Sequence, residues 1–149
     1  MENPQYQKPF EIEYVHPEGC DHPLNHRIVT GGFRITLADR VINDSNRGEF
    51  HVTDYLFKPS EILYCAMAVL DEDNFKLMFN PENRRFCLRF TPRDEGLVEI
   101  TEETTPELSA SSQRVDVAKK LIDCYRQVCA KNGFEADENG IQEYKQFLV

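Results

Sequence analysis

Residues 75–90 read FKLMFNPENRRFCLRF, and their alternation decides the fold class. Phe75, Leu77 and Phe79 share one face of an extended segment, and Phe86, Leu88 and Phe90 share one face of a second. Lys76, Arg85 and Arg89 fall on the opposite faces, so the period-two pattern predicts strands with one side on a core and one in water. The turn-forming NPENR between them makes the pair an antiparallel hairpin.

Working toward the amino end, Phe10, Ile12 and Tyr14 alternate with Glu11 and Glu13, and Phe33, Ile35 and Leu37 alternate with Arg34 and Thr36. Both segments read as half-buried strands, antiparallel neighbours joined by a long loop over residues 16–26. Gly31 and Gly32 suggest a bulge, because two residues without side chains weaken a regular ladder. FHVTDYLF (50–57) is a further strand candidate that stops before Pro59. The next segment, ILYCAMAVL (62–70), is apolar at every position, which removes the periodicity that separates a buried strand from a buried helix. The DEDN turn that follows favours a central strand of a meander, whereas Pro59 and Ser60 resemble a helix start. The strand is the expectation.

Toward the carboxyl end the period changes to 3.6. Val115, Ala118, Leu121, Ile122, Tyr125, Val128 and Cys129 form one apolar stripe, with Ser111 or Ser112 as the expected N-cap and Asn132–Gly133 as the end. A second short helix is expected from about Glu138 to Leu148. No internal repeat or linker divides residues 1–149. The expectation is one α+β domain, a mostly antiparallel sheet of hairpins and meanders with C-terminal helices packed on one face.

With 40% hydrophobic residues, ten Phe and six Tyr, the chain can bury a core without disulfides or metal. The amino end lacks a signal-peptide pattern and the longest apolar run falls short of a membrane span, so no membrane association is expected. Five cysteines, an odd number lying mostly in apolar segments, suggest reduced thiols and a cytoplasmic protein.

The net charge of −9 argues against direct nucleic-acid binding and toward a basic protein partner. The charge is uneven: residues 94–107 carry Asp94, Glu95, Glu99, Glu102, Glu103 and Glu107 with no base, directly after Arg84, Arg85, Arg89 and Arg93. These six carboxylates are the candidate partner-binding residues, against the plainer alternative of a solvated charged surface.

Residues 16–26, HPEGCDHPLNH, raise a different chemistry. His16, Cys20, His22 and His26 are imidazole and thiolate ligands of the kind zinc prefers, in a loop turned by Pro17, Gly19 and Pro23. The spacing matches no usual zinc pattern, since all four come from one short loop, and His26 begins the next strand; the alternative is a polar loop. Cys20 with His51 as a nucleophile and base lacks any supporting oxyanion loop. His51-Val52-Thr53 resembles one half of the paired H-x-T motif of two-histidine phosphoesterases, but there is no second copy. The DEDN turn fails as a calcium loop because Phe75 takes a ligand position and the glycine is missing.

The leading expectation is therefore a small acidic binding module without catalysis and without cofactor, blocking or positioning a basic protein. In size and charge it is similar to small nuclease inhibitors and immunity proteins, a likeness of class carried by no motif. The alternatives are a subunit of a larger protein complex, and a zinc-binding protein or metal-dependent hydrolase built on residues 16–26. Elemental analysis separates the last: about one zinc per chain, lost in a Cys20→Ser, His22→Ala variant, supports the metal loop, and metal-free protein purified without chelator removes it.

Overall fold

The computed structural model describes residues 9–15, 29–38, 40–41, 55–57, 59–81, 86–103, 105–133 and 135–144. It is an α+β protein of antiparallel strands and helices. The strands are β1 (Phe10–Val15), β2 (Val29–Leu37), β3 (Arg40–Val41), β4 (Tyr55–Phe57), β5 (Phe75–Pro81), β6 (Phe86–Pro92), β7 (Leu97–Glu102) and β8 (Thr105–Gln113). The helices are α1 (Pro59–Leu70), α2 (Arg114–Asn132) and α3 (Glu138–Gln142). Strand pairing follows the order β1-β2-β4-β5-β6-β7-β8, with β3 on β2. Three-residue β4 joins the β1–β2 section to the β5–β8 section, pairing Tyr55 and Leu56 with Pro81 and Asn80.

The hairpin that decides the class has the expected register, Phe75 opposite Phe90, Leu77 opposite Leu88 and Phe79 opposite Phe86. Leu77, Leu88 and Phe90 are buried, and Lys76 and Arg89 are exposed on the other face. The first strand pair is likewise antiparallel, with Phe10, Ile12 and Tyr14 opposite Leu37, Ile35 and Phe33. Its register runs unbroken through Gly32, so the diglycine is not a bulge there; it marks where β2 passes from β1 to β4 as its neighbour.

The expected strand over 62–70 is corrected: the segment is the body of α1. Its uniform hydrophobicity reflects burial on most sides, with Ile62, Leu63, Cys65, Ala66, Val69 and Leu70 in the core. The helix ends in a Schellman turn. The Asp73 amide donates to the Ala68 carbonyl (2.9 Å) and the Glu72 amide to Val69 (3.2 Å), while Glu72 itself is left-handed at φ 59°. The expected cap at Ser111 or Ser112 is also corrected. Both serines belong to β8, and Gln113, extended at ψ 136°, precedes α2. Strands β7 and β8 were not anticipated: the alternation of buried Val98, Ile100 and Glu102 with Glu99 and Thr101 lay hidden within the acidic run.

Helix α2 ends where expected, with Gly133 left-handed (φ 74°, ψ 22°) and its amide bonded to the Cys129 carbonyl. The apolar stripe is wider than a single seam, because Val117 and Cys124 are buried beside Ala118, Leu121, Ile122, Tyr125, Val128 and Cys129. The reason is that α2 packs against both α1 and β1. Helix α3 buries Ile141; residues beyond 144 of the expected second helix lie outside the described residues. Across the core, Phe10 of β1 meets Phe90 of β6 edge to face, ring centroids 5.8 Å apart and planes at 86°, tying the two sheet sections together. Among the described residues no helix is long and apolar enough to cross a membrane.

Because Leu121 is fully buried on α2, Leu121→Ala is expected to cost about 2–5 kcal/mol, read as a lower urea midpoint at unchanged slope. Exposed Lys119→Ala on the same helix should stay within about 0.5 kcal/mol of the parent. Equal midpoints for the two variants would contradict this seating of α2.

Candidate protein-binding surface

The six candidate carboxylates of residues 94–107 fall into different environments. Asp94 and Glu95 are exposed on a 3₁₀ turn, Asp94–Gly96, that connects β6 to β7. The turn is closed by the Arg93 amide donating to the Leu97 carbonyl (2.8 Å), and Glu95 (φ 64°) and Gly96 (φ 76°) are both left-handed. Only Gly96 takes that conformation without steric cost. Glu99 accepts from the Arg93 guanidinium. Glu103 accepts from Arg89 Nη2 at 3.0 Å and lies 3.2 Å from Lys76 Nζ, so one carboxylate spans two cations that face each other across β5 and β6. Hydrogen bonds from Lys76 and Arg89 hold the Glu103 carboxyl below its ordinary range. Glu102 points the other way and is 2% exposed. Glu107 belongs to β8, but its side chain lies outside the described residues.

Arg93 and Arg89 are thus engaged by carboxylates of the neighbouring acidic run. Arg84 and Arg85 lie outside the described residues. Of the six candidates, Asp94, Glu95 and Glu103 are exposed at turns, and Glu103 is engaged by Lys76 and Arg89.

A second acidic surface lies at the end of the helical layer. Asp71, Glu72 and Asp73 in the α1–β5 turn are exposed, as are Glu135, Asp137, Glu138 and Glu143 around α3. The two stretches meet where the Tyr144 hydroxyl donates to Asp71 Oδ2 at 2.9 Å. That bond raises the pKa of the tyrosine hydroxyl above its ordinary value, and the Glu143 and Asp73 charges add to the shift. Two arginines of α2 answer part of this charge. Arg114 lies 2.7 Å from Glu72 and also donates to the Leu70 carbonyl (3.1 Å), and Arg126 makes a two-pronged contact with Glu138 at 2.7 and 3.0 Å. The bond from Arg126 holds the Glu138 carboxyl low. Sequence reasoning missed this surface because its halves are some 60–70 residues apart; the local signal was two short acidic runs, 71–73 and 135–138.

Cys65, Cys87, Cys124 and Cys129 are all buried and free. Burial raises each thiol above its ordinary value, most strongly at Cys65 and Cys124. Such thiols stay protonated at neutral pH and act as small apolar groups. Tyr125 is pushed up to about 12 by burial, and its hydroxyl accepts from the Asp137 amide at 2.8 Å, joining α2 to the start of α3. His16, Cys20, His22 and His26 of the expected zinc loop, and His51, lie outside the described residues. Among the described residues, no three His, Cys, Asp or Glu side chains gather as a metal site. The chain matches no known family model, and no curated protein or solved structure is significantly similar to it.

Two pH limbs follow. Glu103 and Glu138 have lowered carboxyl values, so their contribution to stability is complete above the unfolded value of about 4.3 and is lost as pH falls through the native values. A Glu103→Gln, Glu138→Gln variant should therefore show a shallower acid limb of Tm against pH. The buried thiols have raised values, so their contribution is complete below the unfolded value of about 8.5 and is lost as pH rises toward the native ones. A Cys65→Ala, Cys124→Ala variant should flatten the alkaline limb. Limbs identical to the parent's in both variants would remove these assignments.

Proposed function

We propose that this protein is a binding module that works without chemistry of its own, engaging a basic protein through carboxylates carried on the α+β scaffold. The observation that carries the reading is the convergence of exposed Asp71, Glu72 and Asp73 with Glu143 around Tyr144, in a chain of net charge −9. A field of that sign accelerates encounter with cationic partners and repels anionic ones, nucleic acids included. Asp94 and Glu95 add a second exposed pair on the β6–β7 turn. Glu99 and Glu103 act mainly within the sheet, where their cations already neutralise them. The partner is a protein the module inhibits or positions, which agrees with the size and charge of inhibitor and immunity proteins.

The test uses the full chain immobilised, with proteins of a cell extract first divided by ion exchange into basic and acidic fractions. Saturable retention of a basic protein is expected, with affinity falling about tenfold or more between low and physiological salt. Retention confined to acidic proteins, or binding indifferent to salt, would sink the reading.

A further inference from the structure

Helix α1 carries one charged residue, Glu61, in its twelve, and its outward strip is formed by Glu61, Tyr64, Met67 and Ala68, leading to Asp71 at the turn. Tyr64 is 54% exposed, and Met67 and Ala68 are half-buried. In α2 the exposed positions are Asp116, Lys119, Asp123, Arg126, Gln127, Ala130 and Lys131, mostly polar as is usual for a helix bordering water. A helix that is apolar nearly all round is normally one that is covered all round. Here the inner sides of α1 are covered by α2 and the sheet, while among the described residues Tyr64 stays exposed and Met67 and Ala68 are covered in part.

Among the described residues, carboxylates predominate at both ends of the strip. Glu61 lies at its start, and Asp71, Glu72, Asp73 and Glu143 surround its end, where Arg114 is held on Glu72. Helix α3 flanks it, since a Cβ placed on Gly140 would lie 3.1 Å from Cε of Met67. From Glu61 to Asp71 the strip runs about 15 Å, three turns of helix. We infer that the outward strip of α1 is the seat of the basic partner, and that the occupant is an amphipathic, arginine-bearing helix laid along Tyr64, Met67 and Ala68. This rests on the binding-module reading and names its surface.

The chemistry of the occupant follows from complementarity. Apolar side chains at three and four residue spacing cover Tyr64 and Ala68, as in other helix-in-groove contacts. Arginines on the flanks reach the carboxylates, and a guanidinium can also stack on the Tyr64 ring, which an ammonium does less well. The 94–103 region has a different balance, because its exposed carboxylates stand on a turn and the sheet face beside it sets exposed Met78 among the cations Lys76 and Arg89.

The experiment is a nuclear magnetic resonance titration of the ¹⁵N-labelled full chain with a synthetic amphipathic helix of leucine and arginine, beside a matched peptide with glutamate for arginine. Expected is saturable binding of the arginine peptide alone, with shifts in amides 60–73 and 140–144. Tyr64→Lys should weaken it about tenfold, and Gln127→Lys, the same charge added at an exposed site on α2, should leave it unchanged. Ala68→Lys, a smaller and half-buried site, repeats the test should Tyr64→Lys unfold. Shifts confined to amides 94–103, with full affinity in Tyr64→Lys and Ala68→Lys, overturn this surface and leave the binding-module reading standing. Equal binding of both peptides, or of neither, overturns both. Concentration-dependent shifts in amides 60–73 without peptide assign the strip to a second copy of this chain and overturn the proposal.

Discussion

The seating of α2 is the constraint on which the other elements depend. Its apolar residues are spread around more than one face, so the helix is stable only with α1 on one side and β1 on another. An isolated helix of this length is marginal in water, and most of its stabilisation comes from that burial. Its polar side chains then reach out to neighbouring elements. Arg114 bonds the last carbonyl of α1, Lys120 donates to the Phe10 carbonyl (2.8 Å) and pairs with Glu11 (2.7 Å), and Tyr125 and Arg126 hold the start of α3. Exposed ion pairs of this kind contribute little energy each, so they orient elements that the apolar contacts already hold.

The carboxyl end of α1 illustrates how one element completes another. A helix C-terminus favours a cation in its last turn, and α1 has none there. Arg114, 44 positions later, supplies the charge and satisfies the Leu70 carbonyl. Glu72, left-handed at the C′ position where glycine is usual, returns a carboxylate to the same arginine. The acidic turn 71–73 is therefore held in a defined geometry, which is what a charged recognition surface requires.

Pairing also redistributes the acidity of the molecule. On the sheet, Arg93 with Glu99 and Lys76 and Arg89 with Glu103 cancel locally, so a region that is strongly acidic by composition is mixed in charge on its surface. At the end of the helical layer, Arg114 and Arg126 answer only part of the charge from the α1–β5 turn and α3. Among the described residues, Asp71, Asp73, Glu135, Asp137 and Glu143 add further exposed carboxylates at the second place.

Elements whose character lies in a local period were legible from residue order. The Phe75–Phe90 hairpin and the Phe10–Tyr14 and Phe33–Leu37 strands follow from period two, and α2 with its Gly133 end follows from period 3.6 and left-handed glycine. Segment 62–70 was not, because a run apolar at every position has no period and its helix is settled by packing between α2 and the sheet. Strands β7 and β8 were obscured because polar residues fill their outward face, and Glu102 occupies an inward position that the rule for charged residues would deny it. Of the acidic surface at the end of the helical layer, composition supplied the sign of the charge. Its location arose from folding, which brings Asp71 to Tyr144 and Glu138 to Arg126, because electrostatic potential depends on distance in space and not on separation along the chain.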